Sequence, residues 1–246
     1  MLKTGPKTTY MSGMETRDLR IASYNIRKAR GMDQRKDPGR VLDVINALDA
    51  DVVVLQEADH RLGRRKAALS RDMIASGSDY SVVPLARNAE SLGWHGNAVL
   101  IQGDIEVASV SHIDLPGLEP RGAVNVTLSG PASFGVVATH LGLRRRDRRA
   151  QQSAICAALL QDLPVCIAGD FNEWSRTRGF EPFEKRLELH TPGQSFPASF
   201  AVAPLDRFAV SSDIRVMSMG VAKIPVSRRA SDHLPIWCDV SLPTRP

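Results

Sequence analysis

Aromatic residues make up only 5% of the 246 positions, a small stock of flat surfaces for stacking unpaired bases. Cysteine is scarcer still: Cys156, Cys166 and Cys238 form an odd-numbered set in apolar surroundings, without metal-ligand spacing. That argues against a disulfide framework and leaves reduced core thiols, as expected in a cytoplasm. No Cys-x-x-Cys or His-Glu-x-x-His pattern occurs, so zinc has no support from spacing despite six histidines. No apolar run approaches the roughly 18 residues of a membrane span, and Met1 to Arg17 lacks the apolar stretch of a signal peptide. The expectation is a cytoplasmic monomer without a transmembrane segment, in which 1–17 is a flexible tail and 18–246 a single domain.

What is present is an ordinary globular balance, 43% hydrophobic and 24% charged, with a net charge of +5 that suits a polyanionic or phosphorylated substrate. Apolar strand-like runs end repeatedly in polar groups: Leu19 to Asn25 in an amide, Asp51 to Glu57 in a carboxylate, Phe134 to His140 in an imidazole. Gly169-Asp170-Phe171-Asn172 and Ser231-Asp232-His233 show the same kind of cluster beside apolar runs. One such residue reads as turn chemistry, but a series of them with histidine included points to a single site at strand ends. Between Asn25 and Glu57, Pro38 opens a stretch in which Val41, Leu42, Val44, Ile45 and Leu48 fall at helical spacing. Between His140 and Asp170, the segment from Leu143 to Leu160 reads likewise, with Ile155, Ala158 and Leu159 inward and its arginines outward. The chain therefore reads as two related strand–helix–strand halves. Further short strands are expected at Asn97–Gln102, Ala123–Leu128, Phe208–Val210 and Ile236–Leu242, giving two packed sheets with helices outside.

Tyr24-Asn25-Ile26-Arg27, Leu55-Gln56-Glu57, Gly96-Asn97-Ala98-Val99-Leu100, Thr139-His140-Leu141, Gly169-Asp170-Phe171-Asn172, Leu205-Asp206-Arg207 and Ser231-Asp232-His233 occur in that order over nearly the whole chain. Each is weak alone. Together they resemble the motifs of the endonuclease/exonuclease/phosphatase superfamily, the DNase I-like proteins. Within it, His95-Gly96-Asn97-Ala98-Val99, His140-Leu141-Gly142-Leu143, Gly169 to Trp174 and Ser195-Phe196-Pro197 resemble a small bacterial branch linked to cardiolipin synthase genes.

The resemblance implies a four-layer α/β sandwich and a metal-dependent phosphoesterase, most simply a phosphodiesterase. Magnesium or manganese suits the oxygen-rich set, since such ions keep several waters and need only one or two carboxylates. Glu57 is then the principal ligand, with Asn25 nearby and Asp232 as a second metal-side carboxylate. Asp170 orients and deprotonates the attacking water, and Asn172 serves the phosphoryl oxygen or the metal, although Asp-Phe-Asn could equally form an Asx-turn. His140 and His233 meet the phosphate, and Asp206 holds His233 in one tautomer. Whether Asp170 or His233 is the base stays open. Asn97 contacts phosphate or steadies the Asn172 region, and Arg121 reaches a substrate phosphate.

Other residues carry two readings. The run from Arg144 to Arg149 is a substrate-binding helix start or a solvated face. Trp94, His95 and Trp174 form an aromatic wall or pack against the core. His60, His112 and His190 have no motif support and are expected at the surface. The substrate is open among a small or lipid phosphodiester, DNA and RNA. A non-catalytic module of the same fold would have lost Glu57, Asp170, Asn172 or His233, all of which are present.

Overall fold

The computed structural model describes residues 8–11, 14–130, 132–159 and 163–244. The two expected strand–helix–strand units organise it. In the first, β2 (Met14–Asn25) and β3 (Val52–Gln56) run parallel, which requires a crossover, and helix α1 (Pro38–Leu48) supplies it. Asp37 caps that helix by accepting from Arg40 N–H at 3.0 Å, and Asp49 ends it in a left-handed conformation. In the second unit, β8 (Phe134–His140) and β9 (Val165–Asp170) are parallel and joined through α3 (Arg145–Ala158).

Antiparallel strands complete each sheet. The first adds β1 (Thr8–Met11), β4 (Ser81–Val82), β5 (Ala98–Ile101), β12 (Arg215–Val221) and β13 (Ile236–Pro243), in the order β12-β13-β2-β3-β5-β4 with β1 also on β2. The second adds β6 (Glu106–Asp114), β7 (Gly122–Ser129), β10 (Glu188–His190) and β11 (Asp206–Val210), in the order β10-β11-β9-β8-β7-β6. Each parallel pair thus sits inside its sheet, flanked by antiparallel strands on both sides. Short helices α2 (Arg71–Gly77), α4 (Glu181–Glu184) and α5 (Ser227–Ala230) fill connections.

The period of two along each strand sorts side chains between layers. Leu19, Ile21, Val52 and Val54 pack between the sheets against Val136, Ala138, Cys166, Ala168 and Phe208. Their neighbours Ala22, Tyr24, Val53 and Leu55 face α1, while Val137, Ile167 and Ala209 face Ile155 of α3. Helix, sheet, sheet, helix is the four-layer sandwich. Cys156, Cys166 and Cys238 are buried free thiols. No helix among the described residues is long and apolar enough to cross a membrane.

Several expectations need correction. The segment 1–17 is in part structured: Thr8–Met11 pairs antiparallel with Met14–Arg17, and Arg17 is buried in an ion pair with Asp104. Its residues 1–7, 12 and 13 lie outside the described residues. In α3, Ala158 is exposed whereas Arg148, Gln151 and Gln152 are buried, each with a polar partner in the loops below: Glu173, Gly142 N–H and Gly179 O respectively. Leu160 lies outside the described residues. Strands β6 and β12 had no expectation attached; each is exposed along much of its length and lacks an apolar run.

Candidate active site

The site is what the inter-sheet core becomes where its inward positions turn polar. Continuing the alternation past Ile21 and Val54 reaches Asn25 and Gln56, which are register partners; continuing past Ala138, Ala168 and Phe208 reaches His140, Asp170 and Asp206, which are partners across three strands. All five are buried. Gly169 allows the closest part of this row: a Cβ there would stand 1.9 Å from Thr139 O, and its φ of +156° suits glycine.

His233 enters from the segment before β13 and joins the row through Asp206. Its Nδ1 lies 2.8 Å from Asp206 Oδ2, which also accepts from Ser195 Oγ at 2.5 Å. Its ring sits 4.9 Å from that of Phe196, and Nε2 is 3.7 Å from Asp170 Oδ2. Asp170 Oδ2 also accepts from Asn25 Nδ2 at 3.1 Å and lies 3.4 Å from His140 Nε2. Oδ1 accepts from Asn172 N–H at 2.9 Å. The Asx-turn and the site role thus use different oxygens of one carboxylate.

Electrostatics separate these groups. Burial alone would lower His233, but Asp206 and Asp170 outweigh it and hold the imidazole at about 10, so it stays protonated at neutral pH. Burial raises Asp170 to about 6, against the pull of His233 and with Asp206 adding to the rise. Burial, then Arg121, His233, Arg61 and Lys28, push His140 well below its ordinary value, leaving it neutral. A carboxylate that ionises below neutrality, a cationic imidazole and a neutral one therefore share one small volume.

A cleft lined by Lys28, Glu57, His60, Arg61, His95 and Arg121 ends on His140. Glu57 follows β3 at φ +53°, and the turn Arg27-Lys28-Ala29 is left-handed at φ values of +47°, +55° and +57°. Such conformations cost about 1 kcal/mol or more each in ordinary residues and cluster at sites that over-determine them. Here the turn carries the Lys28 ammonium onto Glu57 Oε2. Arg121 pairs with Glu119 at 2.6 Å, and Arg27 Nε with Asp232 Oδ2 at 3.2 Å.

Of the expected residues, Asn25, His140, Asp170, Asp206 and His233 come together directly, and Glu57 and Arg121 line the adjoining cleft. Asn172 is held at the edge, its Nδ2 donating to Leu141 O at 2.8 Å. Asn97 is fully buried and donates to Gly122 O at 2.8 Å, bracing β5 to β7 and not the Asn172 region. Trp94 packs under Gly122 as core, whereas Trp174 is exposed, edge-on to Phe196. His60, expected at the surface, lines the cleft. Within the arginine run, Arg148 is buried on Glu173 at 2.6 Å, Arg145 and Arg149 pair with Glu181, and Arg144 and Arg146 are exposed. Lys28, Ser195 and Phe196 had no role assigned; Ser195-Phe196-Pro197 stood out as a motif, but only folding shows that it seats Asp206 and His233.

Two donor sets could receive a cation. Asp170, Asp206 and His233 offer ligand atoms within 4.8 Å of one another, and Asp206 Oδ1 is a buried acceptor with no partner. Using His233 as a ligand there would require it to give up the proton that Asp206 and Asp170 hold on it. Glu57 faces a positive charge already, is partly exposed, and its Oε1 has no hydrogen bond among the described residues. A hard divalent ion fits that carboxylate by exchanging with the ammonium.

The profile of the Endonuclease/Exonuclease/phosphatase family matches residues 22–233. An uncharacterized protein, YbhP of Escherichia coli K12, is 28% identical over 252 residues, covering 91% of this chain and 96% of its own. Among solved structures, the mannosyl-6-phosphatase Bt3783 of Bacteroides thetaiotaomicron superposes with a TM-score of 0.67 at 19% identity, covering 90% of this chain and 99% of its own. D. rerio TDP2, complexed with a single-strand DNA product, gives 0.68 at 17% identity, with 91% and 98% covered. At these identities the two structures bear on the fold alone.

Proposed function

Because the chain belongs to the endonuclease/exonuclease/phosphatase family, we propose that it is a divalent-metal-dependent phosphoesterase that hydrolyses a phosphodiester by in-line attack of water at phosphorus. The observation that carries this is the meeting of Asp170, His140 and the Asp206–His233 pair, of which His140 also lines the cleft that holds Glu57 and Arg121. Asp170 Oδ2 takes the proton of the attacking water. His233, kept protonated by Asp206, donates to a phosphoryl oxygen, and neutral His140 donates to another. This division makes Asp170 the base, because His233 has no free lone pair while Asp206 holds it charged. Arg121 meets the substrate phosphate after leaving Glu119.

Magnesium or manganese would be held by Glu57, with Asn25 and Asp232 behind it, and when bound supplies positive charge for the phosphoryl oxygens. Asn25 already gives its oxygen to Arg27 N–H at 3.1 Å, so Glu57 carries most of the affinity. The substrate fitting a short, basic, aromatic-poor cleft is a small or lipid phosphodiester. Nuclease activity is the second reading, favoured by the exposed Arg144, Arg146, Arg176 and Arg178 and by the DNA product held by D. rerio TDP2. We place the protein in the cytoplasm, consistent with its three reduced thiols. The test is turnover of a panel of phosphodiesters, phosphomonoesters, lipids and nucleic acids with magnesium, manganese or chelator. Cleavage of a diester that chelator abolishes is expected; no metal-dependent cleavage of any member sinks the reading.

A further inference from the structure

Eight large apolar side chains are exposed among the described residues, and six of them lie on loops at the catalytic end: Leu62, Leu118, Leu143, Trp174, Phe200 and Val202. The other two, Met217 and Met219, lie on edge strand β12. Leu62, 88% exposed, sits at the tip of a loop that leaves Glu57 and is closed by the Asp59 to Ala67 bridge and a His60 N–H to Lys66 O bond. Leu118 and Leu143 flank the Arg121–Glu119 pair: Leu143 N–H donates to Glu119 Oε1 at 3.2 Å, and Leu118 N–H to Asp147 Oδ2 at 3.3 Å. Trp174 stacks edge-on to Phe196, itself against His233. Phe200 and Val202 project from the turn closed between Phe196 and Ala203.

Leu62, Leu118 and Leu143 adjoin residues of the cleft, and Trp174, Phe200 and Val202 adjoin the Phe196–His233 side of the site, all on separate loops. Cations accompany them: Arg61, Arg144, Arg176 and Arg178 on the same loops and Arg146 in the first turn of α3 are exposed and form no ion pair among the described residues. A plane with an anionic surface and an apolar interior complements such a rim, since apolar tips gain by insertion and cations by headgroup contact. A nucleic acid does not complement it, because four of the six tips are aliphatic and offer no face on which bases stack. We propose that the catalytic end docks on an anionic phospholipid bilayer, which would present a lipid headgroup phosphodiester to the cleft. The substrate assignment rests on the phosphoesterase reading; the docking surface does not.

The experiment is cosedimentation of the full chain with vesicles of phosphatidylcholine alone and of phosphatidylcholine mixed with phosphatidylglycerol, in chelator. Alongside, turnover of soluble bis(p-nitrophenyl) phosphate is measured with magnesium. Wild type should bind the mixed vesicles, weakly at high salt, and bind phosphatidylcholine poorly. The Leu62→Ser, Phe200→Ser double variant should lose about tenfold in affinity per side chain while keeping its melting temperature and its soluble turnover. The Leu62→Trp variant should bind and show a blue-shifted emission on the mixed vesicles. Absence of wild-type binding, equal binding by the double variant, or an unshifted emission from the Leu62→Trp variant would overturn the proposal. So would single-stranded DNA binding tighter than vesicle binding and indifferent to the apolar substitutions. Because vesicle binding is read without metal, failure of soluble turnover alone strikes the phosphoesterase reading and leaves the docking surface standing.

Discussion

The inner row of the site and its mouth solve the same problem, holding charge in a small space, in opposite ways. Asp170, Asp206 and His233 are 2%, 0% and 5% exposed and are held to one another. Two of the three are register partners on neighbouring strands. Their geometry is fixed by the sheet, and burial moves their proton affinities. At the mouth, Glu57 and Lys28 stand on left-handed turns, partly exposed, paired with each other and not with the row. A preorganised interior can stabilise a transition state without rearranging, whereas counter-charged side chains at an entrance must be exchanged for metal or substrate before anything happens. Substitutions in the row should therefore alter turnover and its pH dependence, and substitutions at the mouth should alter binding.

The strongest test is Asp170→Asn, which keeps volume and the Asn172 N–H contact but removes the base. It should lower kcat by roughly a hundredfold or more with metal affinity nearly unchanged. A loss confined to KM would move Asp170 from the row to the binding mouth and end the comparison. In wild type, the rate should rise as pH passes about 6, where Asp170 ionises, and fall as His233 loses its proton near 10.

Glu57→Gln should come next. Removing one anionic oxygen from the mouth should weaken magnesium binding and, at limiting metal, turnover by about tenfold or more, with little change in melting temperature. Calorimetry reads the first and saturating metal should rescue much of the second. Unchanged metal affinity would shift the ion to Asp170, Asp206 and His233.

Asp206→Asn probes how the row is wired. It removes the charge that keeps His233 protonated, so the alkaline limb of the rate profile should move to lower pH, and losses with His233→Ala should be less than additive. The stability sign follows from the same shift. His233 is raised above its unfolded value, so its contribution is complete below about 6.5 and is lost as pH rises through about 10. Melting temperature should thus decline across that window in wild type and decline less in Asp206→Asn. Additive losses and an unmoved limb would show two independent residues.

The row was legible in the sequence because it obeys periodicity. Once β2, β3, β8 and β9 are recognised as apolar runs, the ends of each parallel pair, Asn25 beside Gln56 and His140 beside Asp170, must lie side by side, for parallel strands joined by a helix end on one side. The Ser231-Asp232-His233 cluster before an apolar run pointed to His233, and the motif resemblance then supplied Asp206 as its partner. The mouth was less legible, since no local pattern announces that three consecutive non-glycine residues turn left-handed and carry Lys28 back to Glu57. Asn97 was placed by the motif resemblance, at the phosphate or beside Asn172, while folding spends its amide on Gly122 O. The arginine run likewise looked uniform in sequence, and only the burial of Glu173 singles out Arg148.

Lys28→Met offers the smallest effect and the finest discrimination. If the ammonium occupies the place a divalent ion takes on Glu57, removing it relieves a competitor. A partly exposed pair of this kind is worth up to about 1 kcal/mol, so magnesium should bind up to roughly fivefold more tightly. The released ammonium, once displaced in wild type, is left beside the cleft and free to meet the substrate phosphate. The same substitution should therefore raise KM while leaving kcat near wild type, so that metal and substrate affinities move in opposite directions. Titration by calorimetry and steady-state kinetics at saturating magnesium separate the two. Weaker metal binding in Lys28→Met would mean that the lysine supports the ion's site and does not guard it, and the mouth would then be as preorganised as the row behind it.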